Sequence, residues 1–139
     1  MSRSISVFGT SHRLQGALKA DHLLQINDHG YKRYLEHQLR ANRFDFVFEE
    51  ATEFGPTIAE DVATKFLGPG HYLDLDPHPR NRARFGIPPL REEHTPINPY
   101  GPDDGFVQHE DLEGQDKREE LWVSRVQGQS FDSALLICG

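Results

Sequence analysis

The stretch FDFVFEEATEFGPTIAEDVATKFLGPGHYLDLD, at residues 44–76, predicts a strand, a helix and another strand in succession. Residues 44–48 are aromatic or β-branched apart from one aspartate, which is typical of a buried strand. Thr57 and Glu60 form the T-x-x-E pattern of a helix N-terminus, and apolar residues then repeat every four positions. Residues 71–75 alternate and indicate the next strand. This order favours a parallel pair, because a crossover helix returns the chain to the same end of the sheet.

Similar elements lie on both sides of this stretch. Residues 4–9 (SISVFG) form a short apolar run that ends at a glycine, and residues 133–138 (SALLIC) predict a fourth buried strand. Residues 25–42 and 116–126 have the apolar spacing of amphipathic helices. We therefore expect an α/β fold, a mainly parallel sheet of about four strands with flanking helices, as a single domain over residues 1–139.

A long proline-rich loop is expected between the third strand and the last helix. Residues 86–111 show neither a helical nor a strand period, so we predict an irregular excursion there. Loops of this length in compact domains are usually lids, binding loops or disordered segments. Just before it, Asp76 and Pro77 fit the cap and first residue of a short helix that ends near Phe85.

Charge and composition narrow the class of protein. The formal net charge of −7 repels a phosphate backbone, so we expect no nucleic-acid partner. A single cysteine allows no internal disulfide and favours a reducing compartment. No apolar run reaches the roughly 20 residues that cross a bilayer, and the polar start of the chain does not resemble a signal peptide. We expect a cytoplasmic protein with no membrane partner, and the sequence leaves its oligomeric state open.

Polar residues follow each predicted strand. In an open parallel sheet, ligands bind in the crevice outside the carboxyl ends of the strands. The candidate site residues at these positions are Gly9, Thr10, Ser11 and His12 after the first strand, Glu49 and Glu50 after the second, and Asp76 after the third.

The two adjacent carboxylates, Glu49 and Glu50, are the first candidates for chemistry. Successive side chains of a strand point to opposite faces, so one of the two faces a covering layer and needs a partner. A divalent metal, a histidinium or an arginine would lower the cost of that charge. The alternative is that the strand has ended and both side chains are solvated.

His12 and Asp76 each have a structural and a functional interpretation. His12 fits a metal ligand, together with Glu49, a general base or a structural histidine. Asp76 with Asp74 forms an Asp-x-Asp pattern at a strand end, an arrangement that binds divalent metals, but a helix cap explains Asp76 equally well.

The last predicted helix carries a charge on its apolar stripe. Glu119, Trp122, Val123 and Val126 fall at i, i+3, i+4 and i+7 and so share one face. Arg118 at the edge of that stripe would reach the crevice and pair with Glu49 or with an anionic substrate. If the helix is rotated slightly, Glu119 is exposed and Trp122 alone reaches the core.

Several short motifs resemble one superfamily. They are GTSH after the first strand, FEEA after the second, LDLDP after the third, REELW on a helix, and ICG after the last strand. Together they resemble the superfamily that contains erythromycin esterases, ChaN-like haem-binding proteins and the TraB and TIKI proteins. In that superfamily an early G-x-x-H and acidic residues after the next strand line a site at one end of the sheet.

The resemblance implies a set of site residues. Gly9 and His12 would form the first motif, Glu49 and Glu50 the acidic pair, and Arg118 with Glu119 would be further site residues. A second G-x-x-H of the superfamily would begin at Gly139, and its histidine is absent from this sequence.

Two functions from different classes fit these residues, and both take a small-molecule substrate or ligand. The first is a hydrolase-like domain in which His12 with Glu49 or Glu50 either holds a divalent metal or activates water directly, while Arg118 steadies negative charge. The second is a non-catalytic module that binds a nucleotide or haem. Haem is less favoured than a divalent metal as a cofactor, and His12, His94 and Tyr100 are its candidate axial ligands. A structural protein with incidental acids at its strand ends is a third alternative.

Overall fold

A computed structural model describes residues 2–10, 25–51, 56–94 and 106–139. The elements in chain order are β1 Ser4–Gly9, α1 Gln25–Ala41, β2 Phe46–Glu49, α2 Ile58–Leu67, β3 Tyr72–Asp74, β4 Arg91–His94, β5 Phe106–His109, α3 Leu112–Gln127 and β6 Ser133–Cys138. Two short 3-10 turns, Pro79–Asn81 and Ala83–Phe85, take the place of the short helix expected after Asp76.

Four strands form one parallel sheet in the order β1-β6-β2-β3. The expected α/β fold, a parallel sheet with flanking helices, is therefore confirmed. The last strand, β6, lies between the first two, so the chain returns to the middle of the sheet after building its outer strands. No helix within the described ranges is long and apolar enough to span a membrane.

The two faces of the sheet bury separate apolar clusters. One cluster joins α1 and α2 to the sheet through residues such as Leu35, Val62 and Ile137. The other contains Phe46, Phe48, Leu75, Phe131 and Ala134, with Trp122 and Val126 of α3 packed against it. Because residues alternate along β2, Val47 lies in the first cluster and its neighbours Phe46 and Phe48 lie in the second.

The helix α2 begins as its sequence predicts. Thr57 is the N-cap, and its side chain accepts a hydrogen bond from the backbone N–H of Glu60 at 3.1 Å. The helix ends at Leu67, and Gly68 follows with a positive φ of 90°, a region that glycine adopts without strain. This cap fixes the first turn of α2 beside the end of β2.

Two strands lie within the range that was expected to be irregular. β4 (Arg91–His94) pairs antiparallel with β5 (Phe106–His109) and forms a separate two-stranded ribbon. The sequence REEH of β4 is mostly charged, so no apolar alternation marks it as a strand. Residues 95–105, the rest of the proline-rich stretch, lie outside the described part of the chain.

The face that α3 turns to the sheet differs from the predicted one. Glu119 is exposed and Val123 is 56% exposed, whereas Trp122 and Val126 pack on the core. The prediction of a shared buried face is therefore wrong. The rotated alternative is correct for the exposed Glu119, but Val126 reaches the core together with Trp122. The physical reason is that Arg118 occupies the inward position one turn before Trp122, where it meets carboxylates at the sheet edge.

Candidate functional site

The carboxyl ends of the parallel strands bring the acidic residues to one edge of the sheet. In register, Gly9 lies beside Cys138, and Ile137 lies beside Glu49, which in turn lies beside Asp74. Glu49 and Glu50 are 0% and 8% exposed, so neither is a solvated strand end. The alternation of the strand sends the two carboxylates to opposite faces, where each has its own set of partners.

Glu49 is bound by two hydroxyl groups on the face covered by α1 and α2. Thr57 Oγ1 donates to Glu49 Oε1 at 2.5 Å, and the Tyr72 hydroxyl donates to the same oxygen at 2.6 Å. Thr57 thus caps α2 and binds the carboxylate with one side chain. Burial, followed by the charge of Glu49, raises the pKa of Tyr72 well above its usual range, so this hydroxyl keeps its proton and remains a hydrogen-bond donor.

Glu50 lies on the face covered by α3, next to Arg118. The distance between Arg118 Nη1 and Glu50 Oε2 is 3.5 Å. The same nitrogen lies 3.2 Å from both carboxylate oxygens of Asp76, and Arg118 Nε donates to Glu110 Oε1 at 2.9 Å. One guanidinium therefore joins three carboxylates that come from different parts of the chain.

Burial and charge act in opposite directions on Arg118. Burial lowers the pKa of its guanidinium, but the carboxylates of Asp76, Glu110 and Glu50 outweigh this effect, and the pKa is raised. The side chain is 23% exposed. Arg118 consequently remains a cation at any physiological pH.

Side chains of α3 hold Asp76 in place. The predicted helix that Asp76 would cap does not form, because a 3-10 turn begins only at Pro79. The indole Nε1 of Trp122 donates to Asp76 Oδ1 at 2.6 Å, in addition to the two contacts from Arg118. Arg125 Nη1 donates to the backbone oxygen of Asp74 at 2.9 Å, so the inner face of α3 holds the end of β3 at several points.

A second arginine extends this cluster towards the ribbon. Arg82, only 8% exposed, pairs with Glu110 Oε2 and also donates to the backbone oxygen of Pro88 at 3.0 and 3.1 Å. Pro88 precedes the ribbon of β4 and β5, and Glu110 follows it. We call Glu50, Asp76, Arg82, Glu110 and Arg118 the ion cluster.

A glycine allows Glu110 to fold back into the ion cluster. Gly114 lies in the first turn of α3, where its backbone N–H donates to the N-cap residue Asp111 at 2.9 Å. A Cβ at this position would lie 2.9 Å from Cγ of Glu110. Glycine is therefore required for the close approach of the Glu110 side chain to α3.

Cys138 and Asp74 complete the edge. Burial, and then the charge of Glu50, raise the pKa of the Cys138 thiol, which lowers its thiolate fraction and therefore its reactivity. The carboxylate of Asp74 accepts from the backbone N–H groups of Ala51 and Asp76 at 3.3 and 3.0 Å. Burial still raises the pKa of Asp74 above its ordinary value.

The structure brings some of the predicted site residues together and separates others. Glu50, Asp76 and Arg118 meet in the ion cluster, and Glu49 lies on the opposite face of the same strand end. Glu119 lies away from them, where its carboxylate accepts from Gln115 on the exposed side of α3 at 3.2 Å. The sequence predicted that Arg118 pairs with Glu49 or with an anionic substrate. In the structure its carboxylate partner at the end of β2 is Glu50, not Glu49.

Gly9 and Thr10 end β1 at the same edge. The backbone N–H of Thr10 donates to the backbone oxygen of Cys138 at 2.8 Å, which continues the pairing of β1 with β6 by one residue. Ser11 and His12 lie outside the described residues. Within the described residues no group of three or more histidine, cysteine, aspartate or glutamate side chains is arranged to hold a metal ion.

Four residues of this edge were not predicted as site residues. Thr57 was expected only as a helix cap and Tyr72 only as part of a strand, while Arg82 and Glu110 flank the proline-rich stretch. A local signal existed for Glu110, because an acidic residue directly before the cap of α3 lies close to the first turn of that helix. No pattern in the sequence connects Arg82 with Glu110 across the ribbon.

Comparisons with known proteins identify no family for this chain. No protein-family model, no curated protein and no solved structure matches the chain.

Proposed function

We propose that this chain is a hydrolase-like domain that activates water at the carboxyl edge of its sheet, with Glu49 as the central acid–base group. The observation that carries the proposal is a fully buried carboxylate at the end of β2, held by the hydroxyl groups of Thr57 and Tyr72. His12, three residues after Gly9 in the sequence, is the proposed partner of Glu49.

The burial of Glu49 supports a functional role because it costs stability. Removal of an ionised carboxylate from water costs several kcal/mol, even when hydrogen bonds replace part of its hydration. A glutamine would keep the shape and accept hydrogen bonds without that cost. Charged groups retained in such surroundings are enriched at catalytic and binding sites.

The proposed roles of the residues follow from their surroundings. Glu49, or His12, takes a proton from water as it attacks a carbonyl or phosphoryl group, a contribution of about 10²–10⁴ in rate for a positioned base. Arg118 steadies the negative charge that develops on the substrate. Its contacts with Glu50 and Asp76 orient the guanidinium at the edge of the sheet. A divalent metal held by His12 and Glu49 is the alternative means of activating water.

One observation favours the second candidate, a non-catalytic module for a nucleotide, haem or another small ligand. Arg118 already contacts three carboxylates, so a substrate anion would have to compete with them. A guanidinium used in this way stabilises the fold around a ligand rather than the charge of a transition state.

The experiment compares hydrolysis by the wild type with hydrolysis by four variants. Glu49→Gln, Glu50→Gln and His12→Ala alter proposed site residues, and Glu120→Gln alters a matched carboxylate that is 71% exposed on α3. Activity is measured on p-nitrophenyl acetate and p-nitrophenyl phosphate, with and without Mn²⁺ or Zn²⁺. Titration calorimetry of both metals and of haem is run in parallel.

We expect the wild type to hydrolyse at least one substrate, Glu49→Gln to lose about 100-fold or more in kcat/KM, and Glu120→Gln to stay near the wild type. Activity that requires added metal, with metal binding lost in His12→Ala, would select the metal mechanism. Binding without hydrolysis would select the ligand-binding module. Equal activity in Glu49→Gln and Glu120→Gln would remove Glu49 from the site.

A further inference from the structure

The hydroxyl group of Tyr31 is buried without a hydrogen-bond partner. Tyr31 is 5% exposed, and its hydroxyl is the one buried side-chain polar atom without a hydrogen bond among the described residues. A buried donor left unpaired costs about 1–3 kcal/mol, whereas phenylalanine has the same shape without that cost. An unpaired hydroxyl in an otherwise well-paired region points to a partner outside the described residues, such as a bound water molecule.

Tyr31 packs on the face of the sheet to which Glu49 also belongs, at the level of the end of β2. Phe8, Ile137 and Glu49 lie at one level across the adjacent strands β1, β6 and β2. The ring of Tyr31 stacks on Phe8, with 6.4 Å between the centroids and 18° between the planes. Adjacent strands are about 4.8 Å apart, so Phe8 and Glu49 are separated by roughly 10 Å, and Tyr31 packs in the cluster that spans this distance.

The protonation state of Tyr31 defines what its hydroxyl can bind. Burial, and then the negative charge of Glu49, raise the pKa of Tyr31 well above its usual range, so the group stays protonated. Glu49 as a carboxylate only accepts hydrogen bonds. A molecule between the two must accept from the tyrosine and donate to the glutamate, and a water molecule does both.

We propose that Tyr31 is a further site residue, whose hydroxyl holds a water molecule together with the carboxylate of Glu49, and that this water is the nucleophile. The second part rests on the proposed hydrolase function. Glu49 takes one proton from the water while the water oxygen forms a bond to the carbonyl carbon or phosphorus of the substrate. The bond to the leaving oxygen breaks, and the proton passes from Glu49 to that oxygen. Tyr31 donates to the water throughout and keeps its own proton.

Tyr31→Phe is the test, and Tyr34→Phe is the matched control. Tyr34 lies on the same helix, also contacts Phe8, at 4.7 Å between ring centroids, and is 40% exposed. High-resolution crystal structures of the wild type and both variants show whether a water molecule lies within hydrogen-bond distance of the Tyr31 hydroxyl and the Glu49 carboxylate. Melting temperatures and hydrolysis of the substrate that the wild type cleaves are measured on the same three proteins.

We expect the water in the wild type and in Tyr34→Phe, and its loss in Tyr31→Phe. Tyr31→Phe should also melt at a lower temperature than the control and lose at least 10-fold in kcat/KM at unchanged KM. No water in the wild type, or a higher melting temperature in Tyr31→Phe, would overturn the binding site. A water with full activity in Tyr31→Phe would overturn its role as the nucleophile.

The two proposals fail in different ways. If the wild type hydrolyses nothing, the hydrolase function fails, and with it the nucleophilic role. The crystal structures and melting temperatures still decide whether Tyr31 and Glu49 hold a water molecule. If Glu49→Gln is inactive while Tyr31→Phe is fully active, the hydrolase function stands and the role of Tyr31 is refuted.

Discussion

Glu110→Gln is the substitution that most directly tests the ion cluster. Glu110 binds Arg118 through one carboxylate oxygen and Arg82 through the other. Glutamine keeps the size of the side chain and one acceptor oxygen but removes the charge. Within the described residues Arg82 then keeps the backbone oxygen of Pro88 and at most one neutral amide oxygen as hydrogen-bond acceptors. Arg118 retains Asp76 and Glu50.

The expected loss of stability follows from the burial of these side chains. The side chains of Arg82 and Glu110 are 10% and 14% exposed, and that of Arg118 is 23% exposed. Loss of one partner from a buried pair costs about 3–5 kcal/mol, and a single charge-assisted hydrogen bond about 1.5–3 kcal/mol. Because glutamine keeps one acceptor and Arg118 keeps two carboxylates, we expect about 2–3 kcal/mol. For a domain of this size that lowers the melting temperature by about 6–12 °C.

The assay is urea-induced unfolding followed by fluorescence of the single tryptophan. Trp122 donates to Asp76 inside the same region, so its emission reports directly on this edge of the sheet. The control is Asp61→Asn, which breaks an exposed pair with Lys65 on α2, with side chains 38% and 58% exposed. Such pairs contribute about 0–1 kcal/mol. A loss in Glu110→Gln no larger than that in Asp61→Asn would refute the reasoning.

Three further predictions concern the edge of the sheet. Thr57→Ala removes both a helix cap and a donor to Glu49, so the free energy of unfolding in urea should fall by about 2–3 kcal/mol, with Thr57→Ser close to the wild type. Burial raises the pKa of Asp74 above the ordinary 3.8, so this carboxyl stays protonated to a higher pH in the folded state than in the unfolded state. Its contribution to the free energy of unfolding therefore falls as the pH rises from 3.8 towards the raised pKa. Asp74→Asn should therefore gain stability relative to the wild type as the pH rises above the ordinary value of 3.8, and a difference that stays constant across the acid range would contradict this sign. Cys138 should react with iodoacetamide more slowly than free cysteine at pH 8, and Glu50→Gln should speed the reaction. An unchanged rate in Glu50→Gln would show that the charge of Glu50 does not raise the pKa of the Cys138 thiol.

The parallel sheet could be predicted because its strands carry local signals. β2 and β6 are short apolar runs buried on both faces, and the T-x-x-E pattern at Thr57 marks the start of α2 between two strands. Once a helix connects two strands, handedness and crossover geometry leave few arrangements. The carboxyl edge, with Glu49 and Glu50 in it, follows from that geometry.

The partners of the carboxylates could not be predicted, because they depend on contacts between distant parts of the chain. Arg118 and Asp76 are 42 residues apart, and Arg82 and Glu110 are 28 apart. The face predicted for α3 is wrong because the apolar residues alone indicate burial of Val123, whereas Arg118 takes the inward position. A helix stripe defined by hydrophobicity gives the wrong rotation when an ion pair determines how the helix packs.

Arg82 binds both Pro88 and Glu110, and these contacts bear on which segments of the domain tolerate a change in length. One guanidinium contacts the chain where it leaves the sheet region and where it returns, so these two points lie within a few ångströms of each other. A segment whose ends are this close adds little closure entropy when its length changes. We therefore expect that the segment between these points can change in length with little effect on the four parallel strands, and that a different loop can be grafted there.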